Sequence, residues 1–262
     1  MILMAYEKEL DLARSLGVRA GQLALQYRQN GVSAEDKPDD SPVTVADREC
    51  EKLIVGEVSA AFPDDGVLGE EGANRDGISG RRWIVDPIDG TKDYIRGNRI
   101  WCNLIALEVR GVVDLGVCTF PALGESYWAV RGQGAWRSLN GQTSRIHCSN
   151  IDQAARAVLC VNSLEKTLKK PHAEKILGLL GQFWTVRSMG GALDAMSACA
   201  GHVDFWLESS AKPWDLAVIQ VMARETGLRY FDYTGADTIY GGNAVVCVPA
   251  LEPLARTFLG LS

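Results

Sequence analysis

Histidine is scarce in this sequence. His147, His172 and His202 are the only three in 262 residues, and no two stand at the spacing of a metal-binding pair, so a zinc centre is not expected. Basic tracts are missing as well. The 27 Lys and Arg are dispersed and the net charge is -6, so a nucleic-acid backbone is not an expected partner. The seven cysteines are odd in number and include no Cys-x-x-Cys, which favours reduced thiols in a cytoplasmic chain over a disulfide framework. No apolar run is long enough for a membrane span. The start, MILMAYEKELDLARSLG, turns acidic too early for a signal peptide. No G-x-x-x-x-G-K-[ST] loop is present, and no G-x-G-x-x-G links a strand to a helix. Ser163 and Ser188 lack a G-x-S-x-G surround. Phosphate loops, dinucleotide loops and a serine elbow are thereby set aside.

What is present is a globular composition, 47% hydrophobic and 23% charged, in a length that suits one large domain or two ordinary ones. Tyr6, Leu10, Ala13, Ala20, Leu23, Ala24 and Tyr27 recur at helical spacing and predict a helix over residues 5–29, ended by Gly31. EDKPDDSP (35–42) reads as a loop or hairpin. A second amphipathic helix is expected from Asp47 to Phe62, a short strand at Val67–Gly69, and a loop over 72–80. Trp83–Val85 reads as a buried strand. Three strand-like runs within 101–130 suggest an antiparallel meander, and the turn-rich 131–144 closes a first domain, 1–144. The second, 145–262, alternates strand and helix: strands near 157–161, 183–186, 203–207 and 244–248, helices near 171–180, 190–200, 215–226 and 254–259. That alternation implies stacked layers of helix and sheet.

Acidic residues gather at the ends of these elements. They are Asp47, Glu70 and Glu71, the Asp86 and Asp89 of WIVDPID, and Asp215 after Pro213-Trp214. Each has an ordinary explanation. Asp47 can serve as a first-turn acid, Glu70 and Glu71 as solvated surface, and Asp89 and Asp215 as helix caps. Taken together they point elsewhere. An all-carboxylate set suits Mg²⁺, which prefers hard oxygen ligands. Gly90 and Thr91 begin a helix whose N–H groups can cradle a phosphate. Carboxylates with metal beside such a helix end make a phosphoryl-transfer site.

The ordered set LGEE (68–71), WIVDPIDGT (83–91) and PWD (213–215) resembles the inositol monophosphatase superfamily of Mg²⁺-dependent, lithium-sensitive phosphatases. SPVTVAD (41–47), FPALGESYWAVRGQGAW (120–136) and RSMGGALDAMSACAGHVD (187–204) extend the resemblance over nearly the full length. The resemblance implies an αβαβα sandwich, two or three Mg²⁺ ions and commonly a homodimer. It implies that Glu70, Asp86 and the Ile88 carbonyl hold one metal, and that Asp86, Asp89 and Asp215 hold a second. Glu70 would also lie near a third, weaker ion. Thr91 and Asp47 would orient or deprotonate the attacking water, Gly90 and Thr91 would bind phosphate, and Glu71 would stand behind the ligands. The implied reaction is direct hydrolysis without a phosphoenzyme.

For the leaving group, GTKDYIRG (90–97) resembles the pattern of the histidinol-phosphatase and bisphosphate-nucleotidase branches, while KPWD (212–215) and the length of the 187–204 segment resemble the histidinol-phosphatase branch. Inositol monophosphatase ranks second and bisphosphate nucleotidase third. Gly191 departs from the first branch, which usually has an acid there. Glu208 and Arg187 are candidate substrate readers. A non-catalytic relative would be expected to have lost ligands, and Glu70, Asp86, Asp89, Thr91, Asp47 and Asp215 are all present.

Overall fold

The computed structural model describes residues 6–38 and 41–261. Ala5, the expected first residue of the opening helix, and Asp39 and Asp40 of the expected loop lie outside the described residues. Helix α1 (Glu7–Gln29) leads through a small hairpin, β1 (Ala34–Asp36) and β2 (Pro42–Thr44), into α2 (Val45–Ala61). Then follow β3 (Gly66–Gly69), β4 (Asn74–Arg75), β5 (Arg81–Asp89), the short α3 (Thr91–Arg96), and β6 (Cys102–Val109). A meander continues with β7 (Val112–Phe120), β8 (Glu125–Val130), β9 (Gly134–Leu139) and β10 (Gln142–Ile146). These strands form one eight-stranded sheet in the order β10-β9-β8-β7-β6-β5-β3-β4.

The second half comprises β11 (Val158–Asn162), α4 (Leu164–Thr167), α5 (Ile176–Leu180), β12 (Thr185–Arg187) and α6 (Gly191–Cys199). It ends with β13 (Phe205–Glu208), α7 (Pro213–Thr226), β14 (Arg229–Phe231), β15 (Ala244–Cys247) and α8 (Glu252–Leu259). Its five strands run in the order β12-β11-β13-β15-β14.

Alternation along the central strands explains the layering. Cys102, Leu104 and Ala106 of β6 enter one core, while Ile105 and Leu107 enter another. A strand of period two that is apolar on both faces must be covered on both. One face is covered by α1 and α2, through Leu16, Ala20, Cys50 and Ile54. The other is covered by α7, whose Leu216, Val218, Ile219, Val221 and Met222 are buried between the two sheets. At Gly116 in β7 a Cβ would lie 2.7 Å from Val221 Cγ1, so the missing side chain lets α7 settle close against that strand. Phe183, Ala255 and Phe258 close the outer face of the small sheet. The result is an αβαβα sandwich. No described helix is long and apolar enough to cross a membrane.

Some elements differ from expectation for identifiable reasons. Residues 131–144 hold β9 and most of β10, because glycines 132 and 141 make tight turns between paired strands rather than a loop. The expected helix over 171–180 is a 3₁₀ turn at Ala173–Lys175 followed by the five-residue α5, which contains Gly178 and ends at Gly181. Two short strands, β4 and β14, were too brief to leave a periodic signal. Trp101 is core, fully buried and edge-on to Tyr94.

Candidate active site

Strand β5 carries the centre of the site. Asp86 stands opposite Leu104 on β6, and Asp89 opposite Cys102. The step is three residues on β5 but two on β6, so the strand bulges by one residue at Pro87-Ile88. In a regular strand residues three apart face opposite ways; the extra residue turns both carboxylates to one side. Asp215 joins them from the first turn of α7, where Pro213 starts the helix and the carboxylate accepts the Lys212 N–H at 2.7 Å. Oxygens of Asp86, Asp89 and Asp215 lie within 4.8 Å of one another.

Asp89 does not cap α3, as its position suggested. Gly90, with φ 84, occupies that position. Asp89 instead accepts the Ala192 N–H at 3.3 Å, in the first turn of α6, and the Cys102 thiol approaches it at 3.7 Å. Asp215 does serve its own helix end, so capping and participation in the acidic group coexist in one side chain.

A second group lies beside the first. Thr91 Oγ1 is 3.1 Å from the Ile88 carbonyl and 3.3 Å from Asp47 Oδ1. Asp47 is held from behind, because its other oxygen accepts both the Thr44 hydroxyl and the Thr44 N–H in a capping box at the start of α2. Glu70 and Glu71 follow β3 in a turn. They are not solvated surface: Lys37 Nζ sits between them, 2.9 Å from Glu70 and 2.6 Å from Glu71. The turn itself is held by Glu51 of α2. Its buried carboxylate accepts the Glu71 N–H at 2.7 Å and the Ala73 N–H at 2.9 Å. A Cβ on Gly69 would fall 2.3 Å from that carboxylate, so a larger residue there would displace Glu51 from the turn it holds.

The charges are poorly compensated. Burial first, then repulsion from Glu70, Asp89 and Asp215, raises the Asp86 carboxyl well above its ordinary range. Burial pushes Asp89 up to about 6 against the Ala192 N–H, and burial with Asp89 repulsion pushes Asp215 up to about 8. Solvent still reaches Asp89 and Asp215 along one edge. Glu71 rises to about 7, chiefly by burial, with Lys37 opposing. Lys37 itself is raised, because the bonds to Glu71 and Glu70 outweigh the cost of its burial.

These residues fit a divalent cation. Asp86 Oδ1 is buried without a hydrogen-bond partner among the described residues. The clustered donors are carboxylate oxygens, and no histidine is among them. A hard cation such as Mg²⁺ would satisfy the orphan oxygen and the mutual repulsion together.

Of the candidate substrate readers, Glu208 ends β13 buried. It accepts from Asn162 and, at 2.8 Å, from the Ser210 N–H. Burial pushes it to about 7, with Asp89 repulsion contributing. Arg187 is exposed and bonds within its own strand, to Thr185 Oγ1 and the Val186 carbonyl. It lines a hollow with Trp184, Met189 and His202. Sequence reasoning passed over Lys37, Glu51 and Asn162. Only Glu51 left a signal, standing four residues after Asp47 and three before Ile54 on the buried face of α2.

Residues 5–259 match the model of the inositol monophosphatase family. The chain belongs to this family. It is 38% identical to a histidinol-phosphatase of Chlorobaculum parvum, over 91% of each chain. It is also 38% identical to one of Mycobacterium tuberculosis, over 90% of this chain and 92% of that one. Among solved structures, an IMPase of Thermotoga maritima superposes with a TM-score of 0.85 at 28% identity, covering 97% of both chains. Membership of the inositol monophosphatase family and the acidic cluster together make this protein a metal-dependent phosphatase acting on a small phosphorylated metabolite.

Proposed function

We propose that the protein hydrolyses histidinol phosphate, with Asp86, Asp89, Asp215, Glu70 and the Ile88 carbonyl holding two Mg²⁺ ions, and a third lying near Glu70. The observation that carries the substrate is the pair of histidinol-phosphatase relatives at 38% identity along nine tenths of the chain. Bound Mg²⁺ supplies charge neutralisation on the phosphoryl oxygens and acidifies water. The protein's own groups do the rest. Asp47, locked by Thr44, accepts the Thr91 hydroxyl proton, and that pair orients the attacking water and relays its proton. Gly90 and Thr91 present N–H groups to the phosphate. Glu208, fixed by Asn162, meets the ammonium of the leaving group, and Arg187 contributes at the rim.

On this reading residues 1–144 form a domain that supplies most ligands, and 145–262 a domain that supplies Asp215 and the substrate readers. The protein works as a cytoplasmic homodimer, a reading supported by its seven free cysteines and by the open β12 edge beside Trp184, 72% exposed. Inositol 1-phosphate is the second reading, favoured by Gly191, which places no acid beside Asp89.

Turnover is to be compared on histidinol phosphate, inositol 1-phosphate, adenosine 3',5'-bisphosphate and fructose 1,6-bisphosphate. Histidinol phosphate is expected to lead. A kcat/KM for it roughly tenfold below any other would discard the assignment. Glu208→Gln is expected to raise KM for histidinol phosphate about tenfold with kcat little changed.

A further inference from the structure

The bulge in β5 leaves a bond to be made. Pro87 has no N–H and cannot join the ladder, yet its carbonyl is buried and needs a donor. The residue across from it is Asn103, between the Leu104 and Cys102 that pair with Asp86 and Asp89. Asn103 is fully buried, and its side-chain Nδ2 donates to the Pro87 carbonyl. The amide thus replaces the backbone bond that the bulge removes. The next carbonyl, Ile88, lies 3.1 Å from Thr91 Oγ1.

We infer that Asn103 is a positioning residue for metal binding, acting through the Asp86–Asp89 bulge; this rests on the metal-site reading above. Stability alone gives a poor reason for an amide here. Asn103 Oδ1 is buried without a partner among the described residues, so the amide satisfies the Pro87 carbonyl only by leaving a second buried acceptor unsatisfied. The amide also has little freedom to turn away. Helix α1 closes over it at Gly21, where a Cβ would lie 3.3 Å from Asn103 Oδ1. Its one bond goes to the peptide between the two ligand carboxylates. Loosening that peptide would let both carboxylates and the Ile88 carbonyl drift, while leaving the core intact.

The test is Asn103→Leu, which removes the amide at similar volume. Mg²⁺ binding to the EDTA-stripped, dialysed protein is measured by calorimetry, alongside thermal unfolding without metal. The variant loses the donor to the Pro87 carbonyl and is expected to unfold somewhat earlier than wild type, yet to be fully folded at the titration temperature and bind Mg²⁺ about 10- to 100-fold more weakly. Turnover is expected to recover toward wild type at saturating Mg²⁺. Affinity within twofold of wild type overturns the inference. If the leucine variant does not fold, Asn103→Ala is titrated under the same criterion. Failure of the metal-site reading looks different: wild type and Asp89→Asn would then bind Mg²⁺ equally or not at all.

Discussion

Asp114 and Asp86 are equally buried, each 1% exposed, and their surroundings are opposite. Asp114 has Arg131 at 2.6 Å and the Tyr6 hydroxyl at 2.7 Å. Asp65 is likewise met by Arg81 and the Trp83 indole, and Glu108 by Arg82 and Tyr240. Each of these three buried acids meets an arginine, while Glu51, Asp204 and Asp232 are held by backbone N–H donors instead. Around Asp86 the neighbours that set its charge are Glu70, Asp89 and Asp215, all acids. Burying charge without a partner is costly, and the protein retains that cost at the proposed metal site.

The comparison can be broken by mutating both kinds of acid. Asp89→Asn is expected to lower kcat roughly 10³-fold or more while leaving metal-free thermal stability unchanged or improved. Asp114→Asn is expected to do the reverse, costing about 1–3 kcal/mol of stability with kcat preserved. Equal loss of turnover in both would erase the distinction; kcat and denaturant unfolding read it directly.

A smaller effect appears in pH. Asp89 and Asp215 hold protons in the folded chain, with pKa values of about 6 and about 8, that an unfolded carboxylate near 3.8 would release. The folded state therefore binds more protons than the unfolded one across this window. The cluster's contribution to the metal-free fold falls as pH rises from about 4 to 8. The thermal midpoint in EDTA should decline through that range, and added Mg²⁺ should raise it more at pH 8 than at pH 6. Asp89→Asn should flatten the slope.

The smallest effect concerns Lys37, the one basic side chain that touches this acidic region through an ion pair among the described residues. Removing its charge in Lys37→Met deepens the negative potential around Glu70. The Mg²⁺ concentration for half-maximal activity is expected to fall about three- to fivefold. A rise would mean that Lys37 supports metal binding rather than competing with it.

How far these features could be read in the sequence follows from the range of the signal. The carboxylates of LGEE, WIVDPID and PWD were legible because each ends an element with its own local pattern, an apolar strand or a proline-started helix. The five-layered fold followed from the resemblance, while alternation alone gave only stacked layers. Lys37 was hidden in a polar, proline-punctuated stretch, where one lysine looks like any other. Asp89 misled because residues near a helix start usually cap that helix; its N–H donor comes from α6, beyond any local window. Asn103 lies in an apolar strand and gains meaning only from the bulge across from it.

The placement of Asp215 has a consequence for the growing chain. Five of the acids that surround the site, Asp47, Glu70, Glu71, Asp86 and Asp89, belong to the part synthesised first. The sixth arrives on α7, which is also the slab that both sheets rest upon. A ribosome-bound chain that has not yet released α7 holds a half-built cage with no closing carboxylate. With the metal ligands proposed above, activity is expected only once this middle layer has docked, so that turnover would report on completion of the fold.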